Sequence, residues 1–371
     1  MQRLTATPAM AKPAGMHRFA FVGRRQWMVA PKRNLFAPVI CAMLALGGCG
    51  DRGGSSAGPP PDPTAPGPFA VGVQSMTFTR TSSTTGAPRP LDTVIWYPAP
   101  AGTTGQSSSG GILNAPLASG APFPLIMFSH GSCGFPAQSV FLTAQLASLG
   151  FIVAAPPHPG NTFFDGIVQC QTSQELTDSF INRVPDIDFV LEQLVALSAS
   201  SGDPLSGAID VERIGMSGHS FGGQTALRVA AENQRMKAVL ALAPAAVGIV
   251  SVTGQISIPA MIQDGNLDSL TPVAQNAVPL FAALHPPRYF AEFLDTGHFA
   301  FADVCPTPAE FGGADFPECH PGTLSQDQAH ALVLRFAVPF LERYIARDHR
   351  FDSLLDPANA PAGVEFTADA G

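Results

Sequence analysis

From about residue 69 onward, short apolar runs alternate with longer stretches of helical periodicity, and this alternation limits the fold more than any other feature. Val71–Thr81 and Leu91–Tyr97 are expected as an opening pair of strands. Pro124–Phe128 and Phe151–Ala155 are continuous short apolar runs, the pattern of a strand buried on both faces. Arg213–Met216, Lys237–Leu242, Ile258–Ile262 and Arg288–Leu294 are expected as further strands. Between them, Gln138–Ser148, Gln174–Leu197, Phe221–Asn233 and Gln326–Ala346 read as helices, with Ile187, Val190, Leu191 and Leu194 on one helical face. Buried strands joined by helices predict a mostly parallel α/β sheet covered by helices on both faces. The domain is expected over 69–350, with 351–371 as a C-terminal tail. No internal repeat is visible.

The charge is unevenly placed. Of the 20 Lys and Arg, seven lie in residues 1–48 with no acid among them, so residues 49–371 carry 13 bases against 28 acids. An acidic domain without a basic face is a poor nucleic-acid partner. The basic leader continues into an apolar run, Leu35–Leu46, too short to span a bilayer and suited to a signal peptide. Leu46-Gly47-Gly48-Cys49 resembles a bacterial lipobox, so residues 1–49 are expected as a signal peptide with Cys49 lipidated. The expected product is exported and membrane-anchored, in the periplasm or at the cell surface; a secreted protein is the alternative. Met28 is an alternative start, and Arg24-Arg25 a weak twin-arginine signal. Residues 50–68, rich in Gly, Pro and Ser, are expected as a flexible tether.

Four cysteines remain beyond Cys41 and Cys49: Cys133, Cys170, Cys305 and Cys319. An even number in an exported chain favours disulfides. Cys305 and Cys319 bracket a Pro/Gly-rich loop and are expected as one pair, which leaves Cys133 with Cys170. No C-x-x-C or H-x-x-x-H pair suggests a metal site.

The chemistry centres on Gly218-His219-Ser220-Phe221-Gly222, where a short strand runs into a helix. The same Gly-x-Ser-x-Gly pattern at Gly54–Gly58 lies inside the tether, where no scaffold holds a serine in place. At a sharp strand-to-helix turn, small residues two before and two after the serine let the backbone close. A serine nucleophile needs a base, and the base needs an acid to fix its tautomer. Five histidines follow Ser220, and only His298 comes directly after a buried strand. Asp264 and Asp268, after the strand Ile258–Ile262, compete as the acid; Asp295 is a weaker candidate. Phe128-Ser129-His130-Gly131-Ser132 follows an earlier strand, so the N–H groups of Phe221 and Ser132 are expected to form the oxyanion hole. His130 is out of order as a base and is expected to orient that loop. Phe163–Thr177 is the expected entrance loop.

These motifs resemble the α/β-hydrolase superfamily over roughly residues 70–347. They are most similar to bacterial relatives of platelet-activating factor acetylhydrolase, often described as predicted dienelactone hydrolases. The resemblance rests on Phe128-Ser-His-Gly131, Ala155-Pro-Pro-His-Pro-Gly-Asn-Thr162, Gly218-His-Ser-Phe-Gly-Gly223 and Gly297-His298. It implies a serine esterase on short-acyl or phospholipid-like esters, with a small-molecule or lipid ester as substrate and no cofactor; the membrane is expected as a partner through the lipid anchor at Cys49. Asp268-Ser-Leu-Thr-Pro-Val273 is similar to the acid loop of cutinase-like polyester hydrolases, which favours Asp268 and makes polyester hydrolysis the alternative. A non-catalytic binding lipoprotein on the same fold is the alternative from another class, and it would be expected to lack a triad member.

Overall fold

The computed structural model describes residues 59–202, 204–305, 317–319 and 322–371. The leader 1–49, with its expected lipidation site Cys49, lies outside the described residues. Every element described here belongs to the unit Ala57–Gly371.

Among the described residues one sheet of eleven strands runs through the domain. It opens with β1 (Ala70–Thr81) and β2 (Pro88–Ala99), a long antiparallel pair with Ala70 opposite Ala99. A small hairpin, β3 (Ser107–Ser108) and β4 (Gly111–Leu113), extends the outer edge of β1. The remaining strands form the body: β5 (Phe123–Ser129), β6 (Ile152–Ala155), β7 (Ile209–His219), β8 (Met236–Leu242), β9 (Ala260–Gly265) and β10 (Arg288–Phe293). They lie parallel in the order β6-β5-β7-β8-β9-β10, and β2 joins β6 antiparallel. The helices are α1 (Val140–Leu149), α2 (Ser173–Ala199), α3 (Phe221–Glu232), α4 (Val250–Thr253), α5 (Ala277–Ala283) and α6 (Gln326–Leu341).

Strand β5 shows why the sheet needs cover on both sides. All seven of its residues are buried. Successive side chains point to opposite faces. Leu125 and Met127 join a core with Ile187 and Leu191 of α2 and Leu227 of α3. Ile126 and Phe128 join the opposite core with Leu142 and Leu146 of α1 and Val333 and Phe340 of α6. The mostly parallel, doubly covered sheet expected from the alternation is observed, and it is the α/β-hydrolase fold that the resemblance implies.

The strand order also places the site. From β5 the chain crosses α1 to reach β6 on one side, and α2 then returns it to β7 on the other side of β5. The helices that follow β5 and β7 therefore pack on opposite faces of the sheet, and the carboxyl ends of these two strands are where α/β sheets of this kind place a site.

Three expected boundaries need correction. Residues 351–371 are not a free tail. Phe351 and Leu355 enter the core beside α6, and β11 (Val364–Asp369) pairs antiparallel with β10 along its whole length. An unpaired β10 edge would expose a row of backbone donors and acceptors. The tether expected over 50–68 is pinned in its described part: Gln145 Nε2 donates to the carbonyls of Pro63 and Ala65, and Gly67 N–H to Ser148 Oγ. The helix expected over Gln326–Ala346 is α6 followed by a π-helical turn, Glu342–Ala346.

Candidate active site

β7 delivers His219 to the carboxyl edge, and the next residue reverses the chain into α3. Ser220 sits at φ 60°, ψ −120°, a conformation that costs a non-glycine residue about 1–3 kcal/mol. Surrounding hydrogen bonds hold it there: Ser220 N–H donates to Leu242 O (2.8 Å), and Ser220 O accepts from Ala245 N–H (3.3 Å). The flanking glycines are required by contact. A Cβ on Gly222 would lie 1.9 Å from Ser129 O, and one on Gly218 would lie 2.3 Å from Gly222 O. The turn is thus pressed against the end of β5.

His298 opens a 3-10 turn, His298–Phe301, just beyond β10 and is buried. Its Nδ1 lies 2.6 Å from Asp268 Oδ2. The second oxygen of Asp268 accepts from Leu270 N–H (2.8 Å) and Thr271 N–H (2.7 Å), and the Thr271 hydroxyl donates to Oδ2 (2.9 Å). Burial pushes the Asp268 carboxyl up, but His298 and the Thr271 donors outweigh it and hold the group below its ordinary range. A carboxylate so placed keeps the proton on Nδ1 and leaves Nε2 as the basic nitrogen.

The loop after β5 meets the serine. A Cβ on Gly131 would stand 3.4 Å from Ser220 Cβ. Gly131 N–H donates to Gln138 Oε1 (2.9 Å). Among the described residues, neither Ser132 N–H nor Phe221 N–H meets a protein acceptor. Cys133 follows with φ 54° and is bonded to Cys170, which ties this loop to the expected entrance loop. The second disulfide joins Cys305 to Cys319. His130 is buried as a spacer: its Nε2 accepts from His158 N–H (3.1 Å), so its Nδ1–H donates to Gly131 O (2.8 Å).

Three residues at the site escaped sequence reasoning. Gln138 Nε2 donates to His219 Nδ1 (2.9 Å), which leaves His219 Nε2–H to donate to His298 O (3.0 Å). A neutral relay therefore links the loop after β5 to the backbone of His298. Burial, then the neighbouring His298, lowers the His219 pKa to about 3. Glu318, held beside Cys319, accepts from His298 N–H (3.1 Å) and from the N–H and hydroxyl of Ser269, the residue after Asp268. A histidine directly before the elbow serine was the only local signal for any of these three.

The competing acids have other partners. Asp264 at the end of β9 accepts from Gly265 N–H with Oδ1, and its Oδ2 is buried without a partner among the described residues. Burial, then the charge of Asp268, pushes its carboxyl well above the ordinary range. Asp295 binds the N–H and hydroxyl of Thr323 ahead of α6.

The PET hydrolase-like family profile matches residues 102–314, a stretch that holds Ser132, Ser220, Asp268 and His298. The chain is 29% identical to platelet-activating factor acetylhydrolase of Cavia porcellus over 163 residues, 35% of this chain and only 37% of that protein. It is 22% identical to bis(hydroxyethyl) terephthalate hydrolase of Streptomyces coelicolor over 68% of this chain and 67% of the relative. It is 23% identical to cutinase 1 of Thermobifida cellulosilytica over 62% and 72%. With the sheet, the elbow and a profile match across more than half its length, the chain belongs to the PET hydrolase-like family of α/β-hydrolases, a family of carboxylic-ester hydrolases.

Proposed function

We propose that the protein is a serine ester hydrolase working through Ser220, His298 and Asp268. The observation that carries this reading is the buried 2.6 Å His298–Asp268 pair, joined through His298 O to His219, the residue before an elbow serine in a strained conformation. Ser220 Oγ attacks the ester carbonyl while His298 Nε2 takes its proton. The oxyanion rests on the N–H groups of Phe221 and Ser132. His298 protonates the departing alcohol, then deprotonates the water that releases the acyl group from Ser220. The binding-lipoprotein alternative has no missing member to rest on. Export, supported by two disulfides, and anchoring through Cys49 complete the reading.

The substrate is a short-acyl or phospholipid-like ester, in line with the relative named acetylhydrolase. Polyester hydrolysis is the second reading. The relatives named cutinase and terephthalate hydrolase favour it, as do exposed apolar side chains on the site's loops: Phe164 (78%), Val168 (81%) and Leu270 (57%). The test is hydrolysis of p-nitrophenyl esters of increasing chain length, an sn-2 acetyl phospholipid and a terephthalate polyester film. The Ser220→Ala variant is expected to lose about a thousandfold or more in kcat. Undiminished turnover by that variant would overturn the assignment of the nucleophile.

A further inference from the structure

Arg183 lies on α2 with no exposure to solvent, and the triad chemistry gives it no part. Its guanidinium reaches five oxygens. Nη1 donates to His130 O (2.6 Å) and Ser129 Oγ (3.2 Å). Nη2 donates to Gly131 O (3.1 Å) and Asn161 Oδ1 (2.7 Å), and Nε to Ser179 Oγ (2.9 Å). Its Cζ stands 4.4 Å from the centre of the Phe221 ring. Burial lowers its pKa to about 9, which leaves it charged at neutral pH.

A buried charge is normally paired. Among the described residues no carboxylate lies within ion-pair distance of Arg183. The nearby Asp186 is engaged by Arg80 (2.6 Å), Arg89 (2.9 Å) and His158 (3.0 Å). The charge of Arg183 falls instead on the carbonyls of the loop after β5.

Those carbonyls decide where the N–H groups point. In a planar trans peptide the C=O and N–H face opposite ways. With Gly131 O drawn to Arg183, the Ser132 N–H of the same peptide is turned away from it. The preceding peptide is clamped from both sides, its carbonyl on Arg183 and its N–H on Gln138. Asn161 carries the contact further, from Arg183 to Ser132 Oγ (3.1 Å). Stacking on Phe221 fixes the residue that supplies the other donor.

We propose that Arg183 is a positioning residue for the oxyanion hole: it orients the Ser132 and Phe221 N–H groups and sets a buried positive charge behind them. The proposal rests on the esterase reading above.

The test compares an oxygen ester with its thionoester, whose developing sulfur anion is a weaker hydrogen-bond acceptor. The kcat ratio of the two is read for wild type, Arg183→Lys and Asn161→Ala. This ratio is independent of the fraction of folded enzyme, so partial misfolding does not move it. In Arg183→Lys the oxygen-ester kcat is expected to fall about 10²-fold, with KM within about threefold. The oxygen-to-sulfur ratio is expected to fall roughly tenfold in Arg183→Lys and less in Asn161→Ala, because fewer donors remain aimed at the oxyanion. A ratio equal to wild type in both variants would overturn the proposal while leaving the esterase intact. Full turnover by Ser220→Ala would overturn the esterase reading and this one with it.

Discussion

His219 is expected to make the fold sensitive to mild acid. Folded, it accepts a hydrogen bond from Gln138 at Nδ1, so it must stay neutral, and its pKa falls from 6.5 to about 3. Between these values the unfolded chain binds a proton that the folded chain refuses. Stability therefore rises with pH through this window. The contribution is fully present above pH 6.5 and is lost progressively toward pH 3. At pH 5 the unfolded side chain is almost wholly protonated, and the loss relative to pH 7 is about 2 kcal/mol, roughly thirtyfold in the folding equilibrium. His130 and His158, also lowered well below the ordinary value, chiefly by burial, act with the same sign, so wild type is steeper than one group predicts. The His219→Gln variant isolates the term, because its amide still donates toward His298 O and does not titrate. Urea unfolding at pH 5, 6 and 7, with disulfides intact, should show the variant losing about 2 kcal/mol less than wild type on acidification. Parallel pH curves for the two proteins would refute a neutral His219.

Three further outcomes follow from the geometry. Asp268→Asn should reduce kcat about 10³–10⁴-fold, whereas Asp264→Asn should stay within about threefold because that carboxyl makes no hydrogen bond to His298 among the described residues; the reverse ranking in steady-state kinetics would exchange the two acids. The raised pKa of Asp264 makes stability fall as pH rises above 3.8, so the Asn variant should also melt higher at pH 7. Gly222→Ala should yield little folded protein, since its Cβ would stand 1.9 Å from Ser129 O; a normal yield with normal circular dichroism would contradict the close approach. Glu318→Gln should weaken the link between the His298 and Asp268 loops, costing about 1–3 kcal/mol in stability and about tenfold in kcat with little change in KM, read by melting and kinetics.

Much of the site was legible because its signals are local. Ser220 announces itself by glycines two residues away, and His298 by the buried strand that ends just before it. The choice of Asp268 over Asp264 needed more. Asp264 ends β9 and Asp268 follows it, and their difference is that Asp268 meets His298 and Thr271 while Asp264 is buried on Gly265 N–H. β11 carries a local signal of its own: Val364, Phe366 and Ala368 alternate with Glu365, Thr367 and Asp369, the period of a strand.

By itself the sequence determined the elements and the chemical groups, because strand and helix periods and turn glycines act over a few residues. Tertiary structure alone decided the roles of Gln138, Arg183 and Glu318. Gln138 meets His219 across 81 residues of chain, Arg183 meets Gly131 across 52, and Glu318 meets Ser269 across 49. A polar side chain takes its meaning from the partner it finds when buried, and partners so far apart in sequence are chosen only when the sheet closes over its two cores.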